Sequence, residues 1–384
     1  MPRPLASPHD QNATFVELFF DLVFVFSVTQ VVSLFHDHVD LATLAHAAIL
    51  FWLIWWAWTQ FTWALNAADT THPLVEIVTL AATGVVFFMA VSVPNAFGEQ
   101  ALWFAVPYVI VRLTGVTLHL CAAGGNASQR AAVRTWAIVS STELVAVIAG
   151  AIIGGDAQAW CWLGAIVLDL IAAGVSARAE GWNLHPEHFG ERHGLFVIIA
   201  LGETLIVVAA GLSGAEWTGE LITIAVLGVL IVCTLWWTYF TCAKPELEAA
   251  MADRTGGARS RLARDVYSIA HFPMICGVIA YAVAMEHAIA HPHDPLDLPS
   301  RIALAACLIL FVGGIVGAVF RAFRYLLIPR LVITGVTAAA ILSLTTIPPL
   351  ATFAIALAGL IIICAFEFVM AANHEPADPD IPTD

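Results

Sequence analysis

Two carboxylates four residues apart, Glu17 and Asp21, open the first long apolar run of the chain. On a helix that spacing stacks them on one face. Acids this close repel, so one holds its proton unless a cation lies beside them. A carboxylate that exchanges a proton inside a membrane is what a proton relay needs. The alternative is a packing lock, with Arg112 from a later apolar run as the counter-charge. Glu203 follows Gly202 deep in another apolar run, where the glycine would let a backbone or ligand approach closely. Glu191-Arg192-His193-Gly194 leads into that run. Glu143, after Ser140, Ser141 and Thr142, and Asp169 are two further deep acids. His271 precedes Phe272-Pro273, where a proline frees a carbonyl and can kink a helix, and a histidine there can titrate or bind a metal or, alternatively, hydrogen-bond a neighbouring helix. Trp52, Trp55, Trp56, Trp58 and Trp63 crowd one segment and read as an interfacial aromatic belt or, alternatively, a stacking platform for a cation or sugar.

Composition says what must position these groups. The chain has 384 residues, 60% hydrophobic and 11% charged, and its mean hydropathy is +0.87. Soluble domains carry about 25% charged residues, so a soluble enzyme and a disordered chain are both excluded. A charged group in hydrocarbon costs roughly 2.5–3.5 kcal/mol on insertion scales. The acids above therefore need a partner or a function. The seven cysteines are scattered without a C-x-x-C and read as small buried hydrophobes. No nucleotide-binding glycine loop and no H-E-x-x-H is present, so neither a metal nor a cofactor is expected.

The expected fold is all-α, a polytopic transmembrane helix bundle of about 12 spans. Each span needs about 20 apolar residues, so 12 use roughly 240 and leave no room for a soluble domain. The expected spans are 14–35, 42–64, 75–97, 101–123, 133–153, 159–179, 194–212, 220–242, 266–289, 301–320, 328–346 and 349–371. The first is read as a span rather than a removable signal peptide, since it carries two acids and no cleavage signal follows. Residues 1–13 form an amino-terminal tail, 14–371 the bundle, and 372–384 a disordered acidic tail. With the amino terminus inside, every Lys and Arg except Arg112 and Arg301 falls on the cytoplasmic side. That bias puts both termini in the cytoplasm. The longest inner loop runs from Lys244 to Arg264.

A parallel 6+6 repeat, with halves 14–179 and 194–371, is the expected internal organisation. Its marks are the similar runs Trp55-Trp56-Ala57-Trp58-Thr59 and Trp236-Trp237-Thr238-Tyr239, and the pairing of Glu17 with Glu191 and Thr29 with Glu203. Chance similarity between aromatic-rich spans is the other account. Gly150-x-x-x-Gly154 and Gly313-x-x-x-Gly317 mark close helix contacts.

Thr14-Phe15-Val16-Glu17-Leu18-Phe19-Phe20-Asp21 and the residues to Phe26 resemble the opening signature of the bacterial low temperature requirement protein A family. Glu191-Arg192-His193-Gly194-Leu195-Phe196 with Leu201-Gly202-Glu203 is similar to that family's second signature, and Tyr267 to Pro273 to a third. The resemblance implies an integral membrane protein linked to growth at low temperature, and it supplies no substrate. Its motif acids coincide with Glu17, Asp21, Glu191 and Glu203.

The function expected from these features is a proton- or ion-coupled transporter or permease of the bacterial cytoplasmic membrane. Asp21 and Glu203 would titrate, Arg112 would be a counter-charge and His271 an accessory proton group, with Glu17, Glu191, Glu143 and Asp169 as further candidates. A membrane-embedded enzyme acting on a lipid or isoprenoid, and a structural or sensory membrane protein, are the alternatives. The partners are the lipid bilayer and a small solute or ion; nucleic acid is not among them, and the oligomeric state is not legible.

Overall fold

The computed structural model describes residues 5–8, 11–35, 40–123, 127–176, 182 and 184–372. Among these, every regular element is helical: α1 Phe15–Val32, α2 Leu41–Ala67, α3 Pro73–Ser92, α4 Ala101–Ala122, α5 Ala127–Ile153, α6 Gly155–Ser176, α7 Pro186–Ser213, α8 Gly219–Trp237, α9 Lys244–Ala252, α10 Gly256–Ala263, α11 His271–Ala290, α12 Leu298–Phe323, α13 Ile328–Ser343 and α14 Pro349–Ala372. The acidic tail from Asn373 lies outside the described residues.

Helix starts follow ordinary capping chemistry. Glu17 closes a capping box on Thr14 at the start of α1. Asp40 accepts from Thr43 N, and Asp297 from Ser300 N. Pro186 opens α7, where its missing N–H costs nothing. Among the described residues, eleven helices are long and apolar enough to cross a membrane, two of them continuing into α9 and α10. The expected eleventh span is the short one. At 16 residues, α13 is about 24 Å long, less than the roughly 30 Å of bilayer hydrocarbon. Large apolar side chains such as Ile77, Ile138, Val145, Val336 and Phe368 stand exposed around the outside. Lipid contact accounts for an outer surface of that kind.

Several expectations are corrected. The seventh span does not begin at Gly194. Helix α7 begins at Pro186, so Glu191, Arg192 and His193 are helical rather than loop residues. The stretch from Lys244 to Arg264 is not a loop but the helical pair α9 and α10. Each joins its span through a π-helical turn, Thr238–Ala243 and Arg264–Ile269. Pro273 does not kink mid-span, because it sits in the first turn of α11. It has no N–H to return to the preceding turn, and within that turn the Ser268 carbonyl accepts from Trp55 Nε1 at 2.7 Å. The tryptophans of α2 form no interfacial belt: Trp55, Trp56 and Trp58 are core residues.

Helix α1 packs on α2, α3, α7 and α11 and so stands at the centre of the bundle. Contacts run α1 on α3, α3 on α4, α4 on α5, α5 on α6 and α2 on α6. In the second half they run α7 on α11, α11 on α12, α12 on α13, α13 on α14 and α8 on α14. One close approach of helix backbones uses a glycine that the spacing motifs do not indicate. A Cβ on Gly277 would lie 2.8 Å from the Cys307 carbonyl oxygen and 3.0 Å from Phe311 N, both backbone atoms of α12. Gly314 likewise abuts Met274, whereas Gly313 and Gly317 have nothing within 4 Å. Gly150 does pack, against Cys161 and Trp162, while Gly154 makes a turn at φ +70°.

Gly277→Ala is expected to destabilise the bundle by about 1–3 kcal/mol through overpacking. Gly313→Ala should leave stability unchanged or slightly higher. Thermal unfolding in detergent, followed by circular dichroism, checks the pair.

Candidate functional site

Arg192 extends from α7 into a space with no solvent contact and meets both acids of α1. Its Nε donates to Asp21 Oδ2 at 3.1 Å, Nη2 donates to Asp21 Oδ1, and Nη1 donates to Glu17 Oε1 at 3.1 Å. Trp58 Nε1 from α2 donates to Asp21 Oδ1 at 2.6 Å. Glu17 Oε2 takes the Thr14 amide and hydroxyl, each at 2.9 Å. One helical turn before Arg192, His188 Nε2 lies 2.9 Å from Glu17 Oε1.

The histidine tautomer follows from its other neighbour. The Asn66 side chain accepts from His185 N at 2.9 Å and donates to His185 O at 3.0 Å, which fixes its orientation. Its Nδ2 therefore also donates to His188 Nδ1 at 3.0 Å. His188 is then neutral, with its proton on Nε2 and donated to Glu17. Four donors reach Glu17 and three reach Asp21, so both acids are satisfied as carboxylates. The counter-charge to Asp21 is thus Arg192 and not Arg112. Arg192 escapes the sequence reading because it sits at the polar head of an apolar run. A signal for it exists, since His188 and Arg192 repeat the four-residue spacing of Glu17 and Asp21.

Arg112 on α4 forms a second buried nest with α5 and α6. Its Nη2 donates to Ser140 Oγ at 2.5 Å and Asp169 Oδ1 at 2.9 Å, and its Nη1 donates to Tyr108 Oη at 2.7 Å. Glu143 Oε1 lies only 2.7 Å from Nη2, yet both protons on that nitrogen are already directed elsewhere. Glu143 receives instead the longer Tyr108 hydroxyl bond, 3.3 Å to Oε2. Two acids share one base here, and none is reached by solvent. Ser140 and Tyr108 join a site of which the sequence shows only the charged members.

His271 is buried with its Nδ1–H donated to Val266 O at 2.9 Å, and its Nε2 accepts from Tyr239 Oη at 2.7 Å. His193 stands beside it, ring centroids 5.4 Å apart, with Nδ1 donating to Phe189 O. The buried His193 Nε2 and Tyr267 Oη have no hydrogen-bond partner. Glu203 lies elsewhere, on a small cavity of about 20 Å³ between α1, α7 and α11, where its Oε2 accepts from Thr29 Oγ1 at 3.2 Å. A Cβ on Gly202 would meet nothing within 4 Å, so the close approach expected there is absent. Glu191 Oε2 accepts from Ala13 N at 2.9 Å and ties the head of α7 to the segment before α1. Asp21, Arg112, Glu203 and His271 do not converge on one cavity, although the Trp58 indole bonded to Asp21 packs on His193, the neighbour of His271. Among the described residues, no three His, Cys, Asp or Glu side chains come together as a metal-holding set.

Arg192→Leu should cost about 3–5 kcal/mol, because it leaves two buried carboxylates facing each other. The triple change Glu17→Gln, Asp21→Asn, Arg192→Leu should regain most of that loss. Chemical unfolding in detergent compares the two, and equal losses would count against the pairing.

Residues 12–365 match the model of the bacterial low temperature requirement A protein. An uncharacterized protein of Rhizobium meliloti (strain 1021) is 30% identical over 381 residues, an alignment spanning 94% of this chain and 90% of that one. No solved structure matches. With the match running from the segment before α1 into α14, and with Glu17, Asp21, Arg192 and Glu203 inside it, the chain belongs to the bacterial low temperature requirement A family.

Proposed function

We propose that this integral membrane protein is a proton-coupled transporter or permease and that Glu143 carries the exchangeable proton. One observation supports this above the rest. At Arg112 Nη2 three acceptors compete for two protons, and Glu143 is the one left without. Two acids share one base in both arginine nests, and only around Arg112 is one of the acids left without a directed guanidinium proton in hydrocarbon. Glu143 is that acid and has, in Tyr108, a hydroxyl through which a proton can pass.

Glu203 is the second proton site in this reading. It stands ten residues before the end of α7, as Glu143 stands ten residues before the end of α5. Both lie about 15 Å from the same end of the bundle. Glu203 has one side-chain hydrogen bond, from Thr29, and an adjoining cavity. Glu17 and Asp21 are saturated by donors and serve as the latch that holds α1 to α7. The arginine-rich end, with α9 and α10, faces the cytoplasm, and both termini lie on that side of the bacterial cytoplasmic membrane. The protein's link to growth at low temperature would then run through the solute it moves.

The second reading is a non-transporting bundle whose charges only lock helices. The saturation of Glu17 and Asp21 favours it for that cluster.

Purified protein in liposomes with an internal pH-sensitive dye tests the proposal. Glu143→Gln is expected to cut proton flux at least about tenfold, against 10²–10⁴-fold effects for positioned proton donors in general. Glu203→Gln should also lower it. Flux absent in the parent protein, or unchanged in both variants, sinks the transporter assignment and leaves the locking role.

A further inference from the structure

We propose that the tryptophan-lined pocket at the arginine-rich end binds a zwitterion with a methylated ammonium head and a nearby anionic group. The pocket holds about 40 Å³ and is walled by Trp56 and Trp63 of α2, Trp136 of α5, Trp182, and Arg264 and Ser268 of the second π turn. A single water needs about 10–15 Å³ measured in the same way. The space thus admits a group of roughly three or four heavy atoms and leaves the remainder of a ligand outside. Several indole walls around a small space are the physical basis for holding a methylated ammonium ion, whose diffuse charge is drawn to ring faces. Phenyl-lined or aliphatic pockets lack that quadrupole strength.

Charge is distributed along the pocket with opposite signs at its two ends. Its inner wall is one helical turn from the Arg112 nest on two helices. Trp136 precedes Ser140 by four residues on α5, Ala173 follows Asp169 by four on α6, and Trp56 faces the same space from α2. One turn is about 5.4 Å. That nest holds two acids against one base. At the mouth the balance reverses. Asp265 accepts from Arg264 Nε at 2.7 Å and from Arg321 Nε at 2.6 Å, so one acid is set against two bases. Arg264 uses Nη1 on the Ala173 carbonyl at 3.1 Å and keeps further N–H groups for an anion. A cation alone would meet the mouth's positive charge, and an anion alone would meet tryptophan faces and then carboxylates. A zwitterion lying head inward satisfies both ends.

The sources of such chemistry are a free betaine and a phosphocholine lipid headgroup. This inference does not depend on proton coupling, because it concerns equilibrium binding and is read without flux. Isothermal titration of the purified full chain in a maltoside detergent would use trimethylglycine, glycerophosphocholine, tetramethylammonium chloride and sodium acetate. At least one zwitterion is expected to bind about tenfold more tightly than tetramethylammonium, with no binding of acetate. The tighter of the two zwitterions names the source. Trp136→Leu should weaken binding about tenfold, and the milder Trp63→Phe should weaken it less. Arg264→Gln should remove the preference over tetramethylammonium. Trp217→Leu, an exposed tryptophan at the opposite end, should change nothing. No heat from either zwitterion, or binding unaltered in Trp136→Leu and Trp63→Phe proteins that melt as the parent does, overturns the proposal.

Discussion

A guanidinium enclosed by two carboxylates, with no solvent on any of the three, is the constraint around which the bundle is arranged. In hydrocarbon an unpaired charge cannot be hydrated, so Arg192, Glu17 and Asp21 must meet or the span carrying them must shift. Their meeting sets the relative height and rotation of α1 and α7. The attachment then spreads. Glu17 also caps α1 through Thr14, Asp21 also takes the Trp58 indole of α2, and Glu191 holds the segment before α1. His188 and Asn66 join the head of α7 to the end of α2. Because α1 touches four other long helices, a lock at its first turns positions most of the core.

The two arginine nests share a composition and differ in how completely their acids are satisfied. Around Arg192, the third donor to Asp21 is an indole and Glu17 gains a neutral imidazole and a capped helix end. Around Arg112, Ser140 takes a proton that would otherwise reach Glu143. A hydroxyl of modest size therefore decides which acid in the nest is left short. The same guanidinium that stabilises Asp169 leaves Glu143 dependent on a neighbouring phenol. A saturated nest resists movement, while an undersupplied one has reason to exchange a proton.

The helices are legible in the sequence because apolar runs of membrane length, separated by Gly, Pro and Asx residues, have few alternatives. The acids are legible because burial cost singles them out. What stays hidden is rotational. Whether Gly313 or Gly314 faces α11 depends on a turn of about 100° around α12, and only the packed partner decides it. The head of α7 is hidden because Glu191, Arg192 and His193 are polar, and polarity at the edge of an apolar run reads as loop until a partner surface is known. The π turns are invisible for a related reason. A carbonyl of the second turn, that of Ser268, accepts from the indole of Trp55, more than two hundred residues away in sequence. Arg112 stands out in the sequence as a buried base, but its partners lie on the two helices that follow it.

The spacing argument for two similar halves meets a geometric argument at one contact. Glu17 of α1 and Glu191 of α7 are separated by the same interval as Thr29 and Glu203, which hydrogen-bond each other. Two parallel halves related by an axis along the membrane normal bring equivalent positions together only on that axis. A direct bond between equivalent residues of α1 and α7 is therefore what such an axis between these two helices requires. The recurring contacts, α1 on α3 with α7 on α11 and α2 on α6 with α8 on α14, follow the same relation. The charges do not follow it: Asp21 corresponds to Leu195, and Arg192 to Leu18. The latch is thus asymmetric, α1 supplying both acids and α7 the base. Opposite charges on α1 and α7 attract across the helix contact, where two like charges would repel.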